Sequence, residues 1–445
     1  MKKRFSDTAL RVLIIPLVIE QILAISVGMV DTMMISFAGE AAISGVSLVD
    51  MINHLLITVF SAVATGGAVI VSQYIGHEEP DNARLASGQL VTVTGVLSIL
   101  VAALCLIFRA PLLSALFGTI EPDVMTSALT YFRISAYSYP FIAVYNAGAA
   151  LFRSMGNSRV SMVVSTGMNI FNAVGNAILM FGFGMGVAGA AYASLLARAL
   201  AAVTILLLLQ SRKNEVYLQA KTVFRADLAM IRRIIVIAAP NGIENGVFQL
   251  GRVLVVSIIA TFGTVQIAAN AVANNLDSMG CIIGQAMNLA MITVVGQCLG
   301  ASDTDEAEYY AKKLMKITYI ATALLNLTLF TLLPVILGFY DLSDDARRLA
   351  VLLIIIHNGC AMLLWPASFT LPNALRAGGD VRFPLVISMS SMLVFRIVFS
   401  IILGQHFGMG AVGVWIAMVM DWVFRVTCFV WRFKKGKWKT IKVIG

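Results

Sequence analysis

Apolar runs long enough to cross a bilayer recur along the whole chain, separated by short polar breaks. They fall at roughly 10–36, 44–75, 84–108, 123–150, 160–181, 187–210, 234–261, 267–297, 314–338, 347–373, 384–404 and 411–431. A helical span needs about 20 predominantly apolar residues, so the pattern predicts twelve membrane helices. The runs are long and continuous, without the short period-two segments of a membrane barrel. Gly and Pro within them are tolerated in membrane helices. The expected fold is an all-α membrane protein.

The polar breaks and the spans both repeat at an offset of 224 residues. Pro16 and Glu20 recur as Pro240 and Glu244, and Gly39 recurs as Gly263. Val71-Ser72-Gln73-Tyr74-Ile75-Gly76 recurs as Val295-Gly296-Gln297-Cys298-Leu299-Gly300, and Phe183-Gly184-Met185-Gly186 recurs identically as Phe407-Gly408-Met409-Gly410. The loop Leu151–Arg159 matches Ala374–Arg382, and its glycine permits a tight turn with φ > 0. The longest polar stretch, 211–233, joins the halves, which divides the chain into lobes 1–222 and 223–445. Six spans per half return the chain to its starting side, so the repeat is parallel: two pseudo-symmetric six-helix bundles. Paired bundles of this kind are transporter architecture, with a site on the axis they share.

Composition agrees. The 445 residues are 59% hydrophobic and 12% charged, against about 25% charged in soluble domains. The net charge of +9 invites a nucleic-acid reading, but its placement excludes one. With the N-terminus cytoplasmic, only Arg109, Arg347 and Arg348 fall outside, and Arg133, Arg198, Arg252, Arg396 and Arg425 lie within spans. The remaining Lys and Arg are cytoplasmic, as in Lys2-Lys3-Arg4, the 211–233 connection and the tail from Lys434 to Lys439. That asymmetry predicts a multi-pass protein of the cytoplasmic (inner) membrane with both termini cytoplasmic. The basic tail reads as a membrane-surface anchor. The segments His77 to Arg84 and Ser302 to Lys313 read as amphipathic loops on the surface. The five cysteines show neither metal spacing nor a plausible disulfide set.

Ionisable groups inside spans cost about 2.5–3.5 kcal/mol each on the insertion scale, so each faces the interior, pairs, or lines a cavity. Asp31, late in the first span, has Val255 as its repeat mate, so the charge is not needed to build a bundle. That points to function. Glu20 lies on the same helical face about 16 Å away. Glu20 and Glu244 both follow a proline by four residues, so the pair also fits a kinked helix whose Glu binds a freed backbone donor. Asn172 and Asn176 share one face of span five, with Asn169 beside them. Amide oxygens there suit a hard cation or a protonated carboxyl, and also suit helix packing. Asn274, Asp277 and Gln285 give span eight a polar stripe. Arg252, Arg396 and His357 are further buried candidates. Glu20, Met33, Asn274, Asp277, Gln285, Arg252 and Arg396 are therefore candidates for a substrate cavity, Met33 as an adaptable apolar wall. Asp421 and Arg425, at i and i+4, are expected to pair.

Together, Val30-Asp31-Thr32-Met33-Met34, Val71–Gly76, Arg153-Ser154-Met155-Gly156-Asn157 and Leu375-Arg376-Ala377-Gly378-Gly379-Asp380 resemble the MATE family, the multidrug and toxic compound extrusion transporters. The resemblance covers essentially the whole chain. It implies two six-helix lobes forming a V, and export of diverse, often cationic compounds by antiport against a proton or sodium gradient. It places the family's first-span acid on Asp31, its span-five pair on Asn172 and Asn176, and the span-seven Glu of its sodium-coupled branch on Glu244. That branch also has an Asp in span ten, absent from Leu363-Leu364-Trp365-Pro366-Ala367, so its second-lobe sodium site is not carried over intact.

The expected mechanism makes Asp31 the coupling group, with Asn172, Asn176 and Glu244 as the other ion-coupling candidates. Asp31 would bind a proton, or sodium with the two Asn as neutral ligands. The ion is then the only cofactor, and the partners are small organic substrates and the lipid bilayer, with no obligate protein partner. A lipid-linked oligosaccharide flippase of related fold is the alternative, for which Arg252 and Arg396 are the obvious cations. An enzyme is not expected: His54, His77, His357 and His406 are far apart in sequence, and there is no Asp-rich motif.

Overall fold

The computed structural model describes residues 4–118, 121–340 and 342–444. Lys2 and Lys3 of the basic N-terminal run, and the side chain of Thr32, lie outside the described residues. Among the described residues the structure is helical without strands. Eleven helices among the described residues are long and apolar enough to cross a membrane. A further long helix, Pro122–Ser154, supplies the predicted fourth span. It carries Tyr131, Arg133, Ser138 and Tyr139 and is less uniformly apolar. Twelve membrane helices in two six-helix bundles result, as the apolar pattern predicts.

The chain forms two compact units, Phe5–Gly242 and, with Met1–Arg4, Ile243–Gly445. The helix Leu228–Ala260 contributes to both. In the first unit, helix Pro122–Ser154 packs against Glu40–Gly76, Pro80–Ile107 and Gly186–Leu209. Its buried residues include a run of small ones, Ala143, Ala147, Gly148, Ala149 and Ala150, beside large ones such as Phe132, Tyr139 and Phe152. Small side chains let membrane helices approach closely where no hydrophobic gradient drives them together. A Cβ on Gly148 would meet Ile205 Cγ2 at 2.8 Å. In the second unit the core is aromatic: Trp415 and Trp422 stand edge-on to His357 at 5.4 and 4.8 Å, and Trp365 stacks on Phe369 at 5.0 Å.

The repeat is legible at single torsions. Gly39 and Gly263 precede the second and eighth spans with φ of 103° and 100°, a region open only to glycine. Spans two and eight both end on a non-glycine residue in the left-handed region, Glu78 (φ 61°) and Ser302 (φ 60°). Each is followed by a 6→1 closure, Glu79 N to Tyr74 O at 3.1 Å and Asp303 N to Cys298 O at 3.1 Å. This is the Schellman way of ending a helix.

Several local expectations differ from the structure. Span eight is broken: Thr264–Gly280 ends at Cys281 and Ile282–Gly300 begins anew. Asn326 Nδ2 holds the break by donating to Gly280 O at 3.1 Å. Spans three and nine start as early as Pro80 and Thr304, so the anticipated surface loops are short turns and most of their residues are helical. A Pro near position 80 suits a first helical turn, where its missing N–H is not needed. The basic tail is not a free anchor. Trp438 is fully buried and stacks on Phe433 at 5.1 Å, Lys439 pairs with Glu308, and Arg432 holds Asp380 at 2.6 Å. The linker also folds onto its own unit: Gln89 Nε2 donates to the carbonyls of Thr222 and Arg225 at 2.5 and 3.0 Å.

Candidate functional site

The first unit gathers its intramembrane polar groups at one place. Asp31 from span one meets Asn172 and Asn176 from span five. Asn176 Nδ2 donates to Asp31 Oδ1 at 2.9 Å. The Asn172 amide is oriented by its neighbours, since amide O and N are assigned from the network they serve. With its Nδ2 toward Asp31 it donates to both carboxylate oxygens, at 3.1 and 2.9 Å, and its Oδ1 accepts from Ser194 Oγ and N at 2.8 and 3.1 Å. Both amides are buried, whereas Asp31 is partly accessible. Asn176 Oδ1 is buried and accepts no hydrogen bond among the described residues.

A second acid stands beside this one. Asp50 accepts from Asn53 Nδ2 at 3.1 Å and from Tyr131. Tyr139 in turn donates to Asn53 Oδ1 at 2.7 Å. Arg198 donates to Ser138 Oγ at 2.7 Å and acts electrostatically on both carboxylates. Among the described residues it forms no ion pair with either. Asp31 is therefore held by neutral amides, not locked against a guanidinium. Glu20 is apart from this cluster: Ser161 donates to it at 3.1 Å, and Tyr145 and Arg153 lie close. Met33 is exposed.

In the second unit Glu244 is clasped. Arg376 donates to both its oxygens at 2.7 Å, and Ser388 Oγ donates to Oε1 at 2.5 Å. Arg376 is fixed from its other side by Asn373 Oδ1 at 2.7 Å. The glutamate's partners are these side chains, in place of the freed backbone donor that the neighbouring proline suggests. Asp277 pairs with His357 Nε2 at 2.8 Å, while His357 Nδ1 meets Asn358 Oδ1 at 2.9 Å. Cys281 Sγ joins them, 3.5 Å from Asp277, in a trio whose sequence spacing gave no metal signal. Asp421 lies 3.9 Å from Arg396, so its ion-pair partner comes from a neighbouring helix and not from Arg425 at i+4. Arg252, Asn274 and Arg396 line one pocket. Gln285 is exposed and contacts Asn288.

Sequence reading finds Asp31, Asn172 and Asn176 and misses Ser194, Tyr131 and Tyr139 as their surroundings, and Arg376 as the partner of Glu244. Hydroxyls are common in membrane helices and carry no individual signal. Arg198, a cation within a span, is the one marker that points to the cluster.

The MatE family profile matches residues 16–178 and again 240–402, which restates the internal repeat. The chain is similar to "Uncharacterized transporter YisQ" of Bacillus subtilis, 27% identical over 92% of this chain and 90% of that protein. It is also similar to "Probable multidrug resistance protein NorM" of Thermotoga maritima, 23% identical over 97% of this chain and 93% of the relative. Its fold matches a solved structure, "Crystal structure of MATE in the bent conformation", with TM-score 0.87 at 19% identity, covering 97% of this chain and 96% of that one.

Proposed function

The chain belongs to the MatE family of membrane transporters, and from that premise we propose that it is a secondary active multidrug exporter driven by proton or sodium antiport. The names of its relatives support export of toxic compounds over the lipid-linked oligosaccharide alternative. The two compact units, which divide at Gly242 and not at 222 as the linker suggests, are the bodies that alternate access. The termini face the cytoplasm, and the membrane is the bacterial cytoplasmic one.

One observation carries the coupling step: beside Asp31, the buried Oδ1 of Asn176 accepts nothing among the described residues. An unmet buried acceptor is costly unless a state of the protein satisfies it. An amide offers N–H on one side and oxygen on the other. Toward a bare Asp31 carboxylate, Asn172 and Asn176 present N–H donors. Toward a protonated Asp31 one of them presents oxygen to its single O–H, and toward a sodium ion bound to Asp31 both do. Hard cations take carboxylate and carbonyl oxygen, and Asn172, Asn176 and Asp31 together supply both. Rotation of the two amides thus lets one carboxylate exchange an ion. Arg198, near but unpaired with Asp31, favours release of that ion electrostatically. Each charge moved through 100 mV supplies about 2.3 kcal/mol, enough to drive a useful gradient. A cationic substrate and the coupling ion then compete for the same acidic site. Glu244 takes a structural part, since Arg376 already satisfies its charge.

The test is ethidium efflux from proteoliposomes, with proton and sodium gradients imposed separately. One of the two gradients drives wild-type efflux, and Asp31→Asn lowers that efflux about 100-fold. Gradient-driven efflux at the wild-type rate in a well-folded Asp31→Asn protein would remove Asp31 from the coupling step.

A further inference from the structure

The repeat allows the first-unit acidic site to be mapped onto the second unit residue by residue. At the offset of 224, Asp31 corresponds to Val255, Asp50 to Asn274, Asn172 to Arg396, and Ser194 to Met418. All four counterparts line a single pocket. The second unit therefore has a cavity where the first has its acidic cluster, and the charge of that cavity is inverted. Two carboxylates are gone. Two guanidiniums have arrived: Arg396, and Arg252, which stands where the first half has Gly28.

The offset is not constant, and its change marks the same place. It falls to 223 at the loop pair Gly156 and Gly379, with φ of 75° and 81°, and returns to 224 at Gly184 and Gly408. Span eleven takes up the extra residue in the π-turn Met392–Val398. Span five is regular α-helix over Ser158–Asn176, and its own π-turn, Ala177–Gly182, matches Ile402–His406 instead. A π-turn inside an α-helix commonly sits at a functional site. This one carries Arg396 into the pocket.

The lining offers donors. Arg252 forms no hydrogen bond or ion pair among the described residues, and Arg396 Nε is buried without a partner. Asn270 spends its oxygen on Trp415 Nε1 at 2.9 Å, which leaves its amide N–H groups for a ligand. Among the described residues, no carboxylate is in the lining. Of the acids nearby, Asp277 is engaged by His357 at 2.8 Å, Glu244 by Arg376 at 2.7 Å, and Asp421 lies 3.9 Å from Arg396 and also acts on Arg425. Positive charge is in excess over these three acids. The rest of the wall is apolar, with Val255 and the Trp415 ring.

We propose that this pocket binds the carboxylate of an aromatic substrate, so that the protein handles anionic or zwitterionic compounds through the second unit and positive charge through the first. The proposal names a substrate class and rests on the exporter reading. Two guanidiniums and two amides suit a carboxylate by charge-assisted hydrogen bonds, and Trp415 with the aliphatic wall suits its ring.

Two probes of equal shape and opposite charge test it: 2-naphthoate and 2-naphthylmethylammonium, titrated calorimetrically into the full-length protein in phosphatidylcholine nanodiscs. Wild type binds naphthoate at least ~10-fold more tightly than the ammonium, and Arg252→Gln lowers naphthoate affinity about 10-fold, as loss of one charged hydrogen bond does. Among the described residues Arg252 makes no hydrogen bond or ion pair that its loss would break, and Asp277, on which it acts electrostatically, keeps His357, so this variant spares the fold better than Arg396→Gln, which leaves Asp421 buried. Val255→Asp, restoring the first-unit acid, reverses the preference. Equal wild-type affinities for the two probes, or naphthoate affinity unchanged in both Arg252→Gln and Val255→Asp, overturns the proposal. So does loss of naphthoate binding when phosphatidylglycerol replaces phosphatidylcholine, which would assign the pocket to a lipid headgroup. Wild-type proteoliposomes assayed in parallel keep the two readings apart. Absence of ethidium export sinks the exporter reading, whereas export without naphthoate binding sinks the pocket alone.

Discussion

Glu20 and Glu244 occupy the same position in the two halves, each four residues after a proline, yet they are held differently. Glu244 takes two bonds from Arg376 at 2.7 Å and one from Ser388. Glu20 accepts from Ser161 at 3.1 Å, with Arg153 and Tyr145 close. The parts are the same, a glutamate, an arginine at the end of the fourth span of the half, and a serine on the fifth, but one set is closed tightly and the other loosely. Eleven residues further along, the halves part company altogether, Asp31 in one and Val255 in the other. The repeat thus fixes the framework near the loops 151–159 and 374–382 and frees the pocket beyond it to take opposite charge. A group the repeat duplicates has a structural use, and a charge it does not duplicate is available for chemistry.

The largest effect that sharpens this contrast is on stability. Glu244→Gln leaves Arg376 buried without its counter-charge, which costs about 3–5 kcal/mol, read as a fall in thermal midpoint. Pairing it with Arg376→Met restores much of the loss. Full stability of the single variant would break the claim that this pair is a clamp. Next is Asp31→Asn, which lowers gradient-driven efflux by about 100-fold, toward the upper range of a coupling free energy, while the thermal midpoint moves little. A variant that loses stability and efflux together would place Asp31 with the framework. Third, Gly39→Ala and Gly263→Ala force a side chain into φ near 100° and cost of the order of 1–3 kcal/mol each. The two losses should agree, because the backbone device is duplicated, and a large disparity would break the equivalence of the halves. The smallest effect is Glu20→Gln, about 1 kcal/mol for one weakened hydrogen bond, well below its counterpart at Glu244.

The sequence carried the architecture because membrane helices announce themselves by length and apolarity, and duplication made each landmark appear twice. Asp31, Asn172 and Asn176 were legible because charge and paired amides inside a span are conspicuous. Asp277 was legible as a polar anomaly but not as the partner of His357, since that pairing joins residues 80 apart. Arg376 looked like a loop residue, whereas it lies in the last helical turn with its guanidinium buried against Glu244. The break at Cys281 had no Pro to betray it. The charge inversion of the second pocket was visible only in part. Asp31 and Asp50 could be aligned with Val255 and Asn274 by counting, but Arg396 needs the π-turn that moves the register by one residue.

The most direct measurement is the ion released when a cationic substrate binds. Ethidium is added to purified protein in weakly buffered detergent solution, protons are followed with a pH dye, and displaced sodium is followed with radioactive tracer. If Asp31 is the exchanging carboxylate, wild type releases about one cation, proton or sodium, per ethidium bound, as reciprocal linkage requires. Asp31→Asn releases none, and Glu244→Gln, where folded, releases as wild type does. Undiminished release from Asp31→Asn, or its loss in a folded Glu244→Gln protein alone, would contradict the account.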